Sequence, residues 1–322
     1  MTVYLGKNPV GIGRIVEKKV AKKKFGATVD TFLGDVNENG VLQPSTEQVD
    51  LVFDGVKEIG CDLRYKFYKN ESLNYVHFND LITISNERVF SNTFNSCTNL
   101  IEADFNNLSS IGGFYGCDYM FSKSGLQSIN LEKLTTITGN YSCYYMFSEC
   151  KFLKNIDLNN LINITGSNAC SHMFYDCSAL ETVILNKLKT VNGGSVCDYL
   201  FANCTNLQFV DLSSLESIIS NGACNSMFRG CKKLLSINLN NLTTIDGGTV
   251  CAYMFNSTGI TILSFPKLTT FINTYALNNM FSGATKLTEV HFRADMQATI
   301  EALTGYSSKF GAPSTCTIYF DL

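Results

Sequence analysis

The sequence predicts an α/β solenoid, a fold made by stacking one short unit many times. Phenylalanine recurs nine times from Phe67 to Phe281, at intervals of 26 or 27 residues. A fixed period of this length is typical of architectures in which each unit packs only against its neighbours. The 24 glycines against four prolines also fit a chain with many tight turns.

Each repeat contains a predicted strand, as the segment from Leu180 to Val191 shows. Its apolar residues include Val183 and Leu185, and this alternation is the period-two pattern of a strand with one buried face. The same strand recurs as NYVHF, EADF, SINL, NIDL, TVIL, FVDL, SINL, ILSF and EVHF. Because all of them run in one direction, we expect a parallel β-sheet on one face, with a second short extended segment after each strand.

The opposite face is predicted to carry short helices or helical turns. Relative to each repeat phenylalanine, apolar residues occupy offsets −4, −1, 0 and +3, as in Cys170, Met173, Phe174 and Cys177. Offsets i, i+3, i+4 and i+7 lie on one side of a helix. We therefore expect a buried stripe of Cys, Met, Phe and Cys in each repeat.

The 13 cysteines are interpreted mainly as buried free thiols that act as small hydrophobic residues. Cys170 and Cys177 would lie about 10 Å apart along a helix, beyond the ~7 Å that a disulfide allows. Disulfides remain a lesser alternative. A metal site is not expected, because close spacings such as C-x-x-C are missing and there are only three histidines. No cofactor is predicted.

Two repeats are one residue short after their phenylalanine, and both gain a glycine there. The segments are FSKSGL after Phe121 and FNSTGI after Phe255. A deletion in this place predicts a surface turn that leads into the strand.

The chain divides into three predicted parts. Residues 1–44 have no repeat register and form an N-terminal attachment or cap segment. Residues 45–292 form the solenoid, a half-repeat cap followed by nine repeats. Residues 293–322 form a C-terminal cap, with a helix around Gln297–Leu303 and a strand at Thr317–Phe320 that closes the last open edge.

Two features of the first segment have more than one interpretation. The lysine run of Glu17–Lys24 is interpreted as a solvated face, with a patch for a polyanion as the alternative. DVNENG at Asp35–Gly40 is interpreted as a tight turn between strands. A calcium loop is the alternative, although Thr46 stands where such a loop needs a glutamate.

Composition and charge limit the classes of partner. A net charge of −3 does not favour nucleic-acid binding. No run approaches the ~20 apolar residues of a membrane span, so no membrane insertion is expected. The opening residues do not resemble a secretory signal, so we expect synthesis in a reducing compartment and exit by a route other than general export.

No catalytic set is recognisable, so the protein is not expected to be an enzyme. The exposed face of the sheet is the predicted site, because solenoids bind through extended surfaces of this kind. Outward side chains of neighbouring strands should form two columns there. The residues predicted to contact a partner are Tyr75, His77, Glu102, Asp104, Asn130, Asn155, Asp157, Phe209, Asp211 and Asn238.

The L-x-x-[IV]-x-L strand followed by C-x-x-M-F-x-x-C-x-x-L resembles the BspA-type leucine-rich repeats over about residues 45–292. The resemblance implies a leucine-rich repeat solenoid, to which the phenylalanine spacing adds a repeat length of ~27 residues, longer than is usual in the family. It also implies a bacterial surface protein that acts in adhesion without catalysis. Such an adhesin or interaction scaffold, placed at the bacterial cell surface, is one of two functional hypotheses.

The two ends of the chain, MTVYLGKNPVGIG and YSSKFGAPSTCTIYFDL, are similar to the ends of phage and prophage proteins of intestinal Firmicutes. This resemblance implies a component of a virion, assembled in the bacterial cytoplasm and associated with the phage tail. In this hypothesis the repeats bind a host cell-surface protein or glycan, and residues 1–44 contact other virion proteins.

Overall fold

The computed structural model describes residues 49–53, 55–59 and 62–322. The predicted attachment segment 1–44, with its lysine run and its DVNENG turn, lies outside the described residues. The described residues wind into a stack of coils, whose strands pair in parallel along two sides of the stack. The solenoid with a parallel sheet on one face and ~27-residue repeats is therefore confirmed.

The first sheet contains the predicted strands and is interrupted twice. Its strands are β1 Val49–Val52, β2 Leu73–His77, β4 Glu102–Asp104, β6 Ser128–Asn130, β8 Asn155–Asp157, β10 Thr182–Ile184, β12 Phe209–Asp211, β15 Ile262–Phe265, β17 Glu289–Phe292 and β18 Thr317–Phe320. They pair in three parallel groups, in the orders β1-β2-β4-β6, β8-β10-β12 and β15-β17-β18. The predicted strand SINL at 236–239 has no regular strand structure, and nothing in the structure explains that gap.

The second sheet confirms the short extended segment predicted after each strand. Eight parallel strands pair in one continuous order along the solenoid. They are β3 Thr83–Ile84, β5 Ser110–Ile111, β7 Thr136–Ile137, β9 Asn163–Thr165, β11 Thr190–Asn192, β13 Ser217–Ile219, β14 Thr244–Asp246 and β16 Thr270–Phe271. Each places an apolar residue such as Ile137 or Ile164 inward, so that both sheets enclose one core.

The prediction of short helices in the repeats was wrong. The segments that carry the Cys-Met-Phe-Cys stripe form consecutive turns, here called the turn side. Every fourth residue has a left-handed backbone, as Tyr141, Tyr145 and Glu149 do with φ of 54°, 53° and 59°. A helix of L-residues cannot contain such positions.

Backbone hydrogen bonds on the turn side alternate between two directions. The N–H of Met146 donates to the carbonyl of Cys143 within its own turn, at 3.1 Å. The next N–H, of Phe147, donates to Met173 of the following coil at 2.8 Å. The turn unit has four residues, so it points nearly the same offsets inward as a helix of 3.6 residues per turn. Hydrophobic periodicity alone cannot separate the two structures.

The core contains a continuous stack of the repeat phenylalanines. Neighbouring rings from Phe67 to Phe281 are nearly parallel, with centroids 5.2–6.3 Å apart. Around them lie inward-facing strand residues such as Val76, Ile156 and Val183 and the methionines at offset −1, all buried. Each coil therefore buries its apolar side against the coils before and after it, as solenoid stability requires.

The two short repeats differ from the predicted surface turn. Lys123 is exposed, but the neighbouring Gly125 is buried against the preceding coil. A Cβ on Gly125 would lie 2.0 Å from the carbonyl oxygen of Thr98, and one on Gly259 would lie 2.4 Å from that of Lys232. Glycine is needed there because the shortened chain passes directly over the backbone of the previous repeat.

The C-terminal residues contain a short helix and a final strand. The chain forms a 3₁₀ turn at Ala294–Met296, the short helix α1 at Gln297–Glu301 and a second 3₁₀ segment at Tyr306–Gly311. The strand β18 has the predicted bounds, and it pairs parallel to β17. This pairing covers the edge that β17 would otherwise expose.

Candidate functional site

The strand face of the first sheet holds the predicted site residues in aligned columns. In β2, the inward Val76 is buried, and Tyr75 and His77 point to the other side. Tyr75 pairs in register with Glu102, and His77 pairs with Asp104. The two columns continue into β6, where Asp104 lies opposite Asn130.

The columns continue through the second group of strands. We call the column that begins at Tyr75 the outer column and the one that begins at His77 the inner column. Asn155 and Phe209 flank Thr182 in the outer column, and Asp157 and Asp211 flank Ile184 in the inner column. Phe209 is 50% exposed, a large apolar side chain in an otherwise polar surface. Asn238 is exposed but lies outside any strand, so it extends the column in sequence register only.

Charge is concentrated at the N-terminal end of this face. His77 Nδ1 lies 3.9 Å from Asp104 Oδ2, and the Tyr75 and His77 rings are nearly parallel with centroids 6.3 Å apart. Glu102 stands beside Tyr75 on the next strand. A partner approaching here would meet an aromatic surface edged by carboxylates.

The aspartates and asparagines of the inner column have a structural role that the sequence pattern did not reveal. Each accepts a hydrogen bond from a backbone N–H two residues later, as Asp157 does from Asn159 at 2.9 Å and Asp211 does from Ser213 at 3.0 Å. Asp104, Asn130 and Asn238 make the same bond. Such Asx turns follow β4, β6, β8 and β12, and one follows Asn238. The side chains of the outer column, from Tyr75 to Phe209, do not form these turn hydrogen bonds.

A histidine marks the other end of the sheet. His291 Nδ1 lies 2.9 Å from Asp321 Oδ1, and Nε2 lies 3.2 Å from Glu289 Oε2. Its ring stacks on Tyr319 with centroids 4.8 Å apart. Burial alone would lower the pKa of His291, but the hydrogen bonds to the two carboxylates outweigh it and raise that pKa.

The turn side carries a second arrangement, which the sequence reasoning missed. Tyr119, Tyr145, His172 and Tyr199 occupy offset −2 in four successive repeats, and their rings stack with centroids 4.8, 4.4 and 4.8 Å apart. We call this the aromatic ladder. The aromatic residue at offset −2 in four successive repeats was the signal in the sequence that could have revealed the ladder. The helix interpretation considered only the buried offsets.

A groove of about 810 Å³ opens beside the N-terminal end of the aromatic ladder. Its lining includes Tyr119, Asn92, Arg88 and the carboxylate of Asp118. Asp118 is only 8% exposed, and burial raises its pKa to about 6. The guanidinium of Arg88 lies over the Tyr115 ring at 4.9 Å. Aromatic faces, amides and charges thus meet in one concavity.

Buried titratable groups continue along the ladder. Desolvation raises the pKa of Asp198 to about 7 and lowers that of His172 to about 4. The same cause raises the pKa of Tyr119 to about 12. These shifts follow from close packing of the rings rather than from ion pairs.

The twelve cysteines within the described residues are all buried, as predicted, and none of them forms a disulfide. Burial raises the pKa of Cys97, Cys150 and Cys251 to about 12, so these thiols stay protonated. In the described part of the chain, three or more His, Cys, Asp or Glu side chains nowhere converge as metal ligands would. The helices of residues 49–322 include none that is long and apolar enough to cross a bilayer.

Comparison with known proteins identifies the repeat. The model of the BspA type leucine rich repeat region matches residues 58–193, 117–247 and 170–282, which together span more than half of the chain. No curated protein sequence matches.

Several solved structures are similar in fold. A leucine-rich repeat protein from T. pallidum is 15% identical, with a TM-score of 0.40, and the match covers 89% of this chain and 97% of the other. One from Bacteroides ovatus is 19% identical, with a TM-score of 0.26 and coverage of 84% and 83%. A leucine rich cell surface protein from Faecalibacterium prausnitzii is 12% identical, with a TM-score of 0.28 and coverage of 88% and 91%.

Proposed function

This chain belongs to the BspA-type leucine-rich repeat family, and we propose that it is a non-enzymatic recognition protein whose strand face binds a cell-surface protein or glycan. Repeat proteins of this family are suited to protein–protein interaction or adhesion. Solenoids bind through long surfaces because each repeat adds one row of side chains at a fixed spacing.

One observation carries the proposal: the outward residues of β2, β4 and β6 lie side by side in register and are at least partly exposed. Tyr75, Glu102 and Ser128 form one row, and Phe209 extends the same column further along. Tyrosine and phenylalanine supply contact area at low entropic cost. The carboxylates beside them disfavour a phosphate backbone, so nucleic acid is not proposed as a partner.

Binding of the labelled full chain to intact cells tests the proposal. The triple variant Tyr75→Ser, Glu102→Gln and Phe209→Ser removes the two aromatic rings and the carboxylate of the outer column without touching the core. We expect it to bind a panel of intestinal Firmicutes and epithelial cells at least about tenfold more weakly than the parent. Tyr253→Ser, which removes an exposed tyrosine from the turn side, is the matched control. Equal binding by the parent and the triple variant would refute the proposal.

A finer proposal concerns where the protein works. The similarity of its two end segments to phage proteins supports a tail-associated virion component, with residues 1–44 attached to the particle and the repeats directed at the host. Peptide mass spectrometry of virions purified from an induced lysogen tests this. Absence of the chain from intact particles would eliminate the virion assignment and leave the recognition role standing.

The alternative location is the bacterial cell surface, which membership of the BspA-type family supports. Brief protease treatment of intact cells that express the protein separates the two. Cleavage from outside would support a surface adhesin. Full protection in intact cells, with digestion after lysis, would oppose it.

A further inference from the structure

The aromatic ladder on the turn side has a missing rung. Offset −2 carries Tyr65 and then Asn92 before the unbroken run that begins at Tyr119. Backbone hydrogen bonds place the three residues in successive coils: Tyr65 N–H donates to Ser91, and Asn92 N–H donates to Asp118, at 3.2 and 2.9 Å. Asn92 thus occupies the place of a ring.

The backbone at Asn92 is the same as at the tyrosines. Its φ is 54°, and those of Tyr65 and Tyr119 are 55° and 53°. The shorter side chain leaves space above it, and that space is part of the 810 Å³ groove. Two coils span about 10 Å at the spacing of stacked strands. One further ring would fit midway between the tyrosines.

Tyr119 presents an unused ring face to this space. Its other face stacks on Tyr145 at 4.8 Å, and Tyr144 packs against its edge at 5.7 Å. Within the described residues, no ring or cation contacts the face toward Asn92. A π face is electron-rich and attracts the polarised C–H groups of a flat ligand.

The floor of the gap is polar. Asp118 lines the groove and is only 8% exposed. Its carboxylate accepts a hydrogen bond from the Ser91 side chain, while Oδ1 is enclosed and accepts none from the described residues. Asn92 and Asn95, joined by a 2.8 Å bond, add further polar groups beside it.

We propose that this gap is a binding slot for one pyranose ring of a glycan. The C–H face of the sugar would stack on Tyr119 as the missing rung, and the amide groups of Asn92 and Asn95 would bind its hydroxyls. Because the slot lies on the turn side, the inference does not depend on the strand-face proposal.

The polar lining favours a sugar over the aromatic side chain of a peptide. A tyrosine could offer one hydroxyl, but the lining offers the amides of both Asn92 and Asn95 to the several hydroxyls of a sugar. An anionic group is less suited, since the nearby cations already have partners. Arg64 pairs with Asp62, Arg88 pairs with Glu87, and Lys123 pairs with Glu149. The ammonium group of Lys69 lies over the Tyr68 ring, 5.1 Å from its centroid.

A second interruption of the ladder shows what a filled gap looks like. Ser226 stands at offset −2 between Tyr199 and Tyr253 and is only 1% exposed. Arg229 reaches over from the same coil and donates to the Tyr199 hydroxyl at 3.4 Å. The chain's own side chain covers that gap. The gap at Asn92 is open.

Saturation-transfer NMR on the full chain tests the slot. The probes are the methyl glycosides of glucose, galactose, mannose and N-acetylglucosamine, with N-acetyltyrosinamide as the aromatic alternative. We expect at least one glycoside to receive saturation at its ring protons. No transfer to any glycoside, or transfer to N-acetyltyrosinamide alone, would overturn the assignment.

Two variants locate the signal, and both use residues that other repeats already carry at offset −2. Asn92→Tyr completes the ladder and fills the slot, and Tyr119→Ser removes the stacking face. Each is expected to weaken glycoside binding at least about tenfold. Tyr253→Ser makes the same tyrosine change away from the groove and should bind as the parent does. Undiminished binding by a folded Asn92→Tyr variant would also overturn the proposal.

Discussion

The thiol of Cys177 donates a hydrogen bond of 3.0 Å to the backbone carbonyl of Phe147, one repeat earlier. Every cysteine at offset +3 makes the equivalent bond to the phenylalanine of the preceding repeat, at 2.9–3.1 Å; these are Cys97, Cys150, Cys177, Cys204 and Cys231. In a shortened repeat, Thr258 donates to the carbonyl of Phe255 instead. At these five positions the cysteine therefore acts as a hydrogen-bond donor as well as a small hydrophobic residue, whereas Ala284 at the same offset has no side-chain donor.

The two cysteine columns should respond differently to substitution. Cys177→Ser keeps a donor near the Phe147 carbonyl, so we expect a smaller loss of unfolding free energy than for Cys177→Ala, which should lose about 1 kcal/mol. At offset −4 the neighbour of Cys170 is the thiol of Cys143, so Cys170→Ser buries a poorly paired hydroxyl and should be worse than Cys170→Ala. Urea unfolding of the four variants measures this. If serine is less destabilising than alanine in both columns, or in neither, the hydrogen-bond role is contradicted. EDTA should shift none of the urea unfolding midpoints.

Removing a ring from the core stack should be among the most damaging changes. Phe174 lies between Phe147 and Phe201, with centroids 5.2 and 5.5 Å away, and is 1% exposed. Phe174→Ala is expected to cost about 3–5 kcal/mol, because neither neighbouring coil can collapse into the space. Phe152→Ala, at a residue 60% exposed, is the control and should change the unfolding free energy by less than about 0.5 kcal/mol. Similar losses in the two variants would refute the stack's role.

Most of the architecture could be predicted from periodicity, because each repeat restates the same buried positions. Val183 and Leu185 alternate as a strand requires, and the strand at Thr317–Phe320 was found from its break in the pattern. The turn side could not be predicted from the apolar pattern. Left-handed positions there carry Tyr141, Glu149 and other residues that seldom adopt such a backbone, and hydrogen bonds to the next coil compensate for them.

The candidate site could be predicted only in part, for a related reason. The columns at Tyr75 and His77 follow from strand register, which sequence spacing fixes once the repeat is known. The turn-ending role of Asp157 depends on the loop that follows the strand. The open gap over Asn92 depends on which neighbouring side chains reach across it, and spacing does not supply that information.

The glycines of the short repeats are expected to resist substitution. A methyl group on Gly125 would lie 2.0 Å from the Thr98 carbonyl oxygen, so the backbone of one coil must move. Gly125→Ala should destabilise the protein by about 1–3 kcal/mol. Gly194→Ala is the matched control, because its new methyl would find its nearest neighbour 3.8 Å away. Thermal unfolding of both variants decides the matter, and equal melting temperatures would contradict the close approach.

Asp198 should make the protein less stable as the pH rises. Burial raises its pKa from 3.8 to about 7, and Oδ1 accepts no hydrogen bond from the described residues. Between about pH 4 and pH 7 the folded state keeps a proton that the unfolded state releases, so this contribution to stability is lost across that window. Asp198→Asn should melt as the parent does at pH 4 and at a higher temperature at pH 8. Asp157→Asn removes an exposed carboxylate and controls for the lost charge. The difference between its melting temperatures at pH 4 and pH 8 should equal that of the parent.

His172 should act in the opposite direction. Its ring lies between those of Tyr145 and Tyr199, and burial lowers its pKa from 6.5 to about 4. Between about pH 4 and pH 6.5 the unfolded state binds a proton that the folded state does not, so stability from this residue rises with pH through that window. His172→Tyr places the ladder's commonest ring on the same left-handed backbone, with φ of 56° here and 53° at both neighbours. It should therefore remain folded and gain stability relative to the parent at pH 4 but not at pH 7. Melting curves at the two pH values measure this, and a parent–variant difference that is the same at both would show that the imidazole remains freely protonated within the ladder.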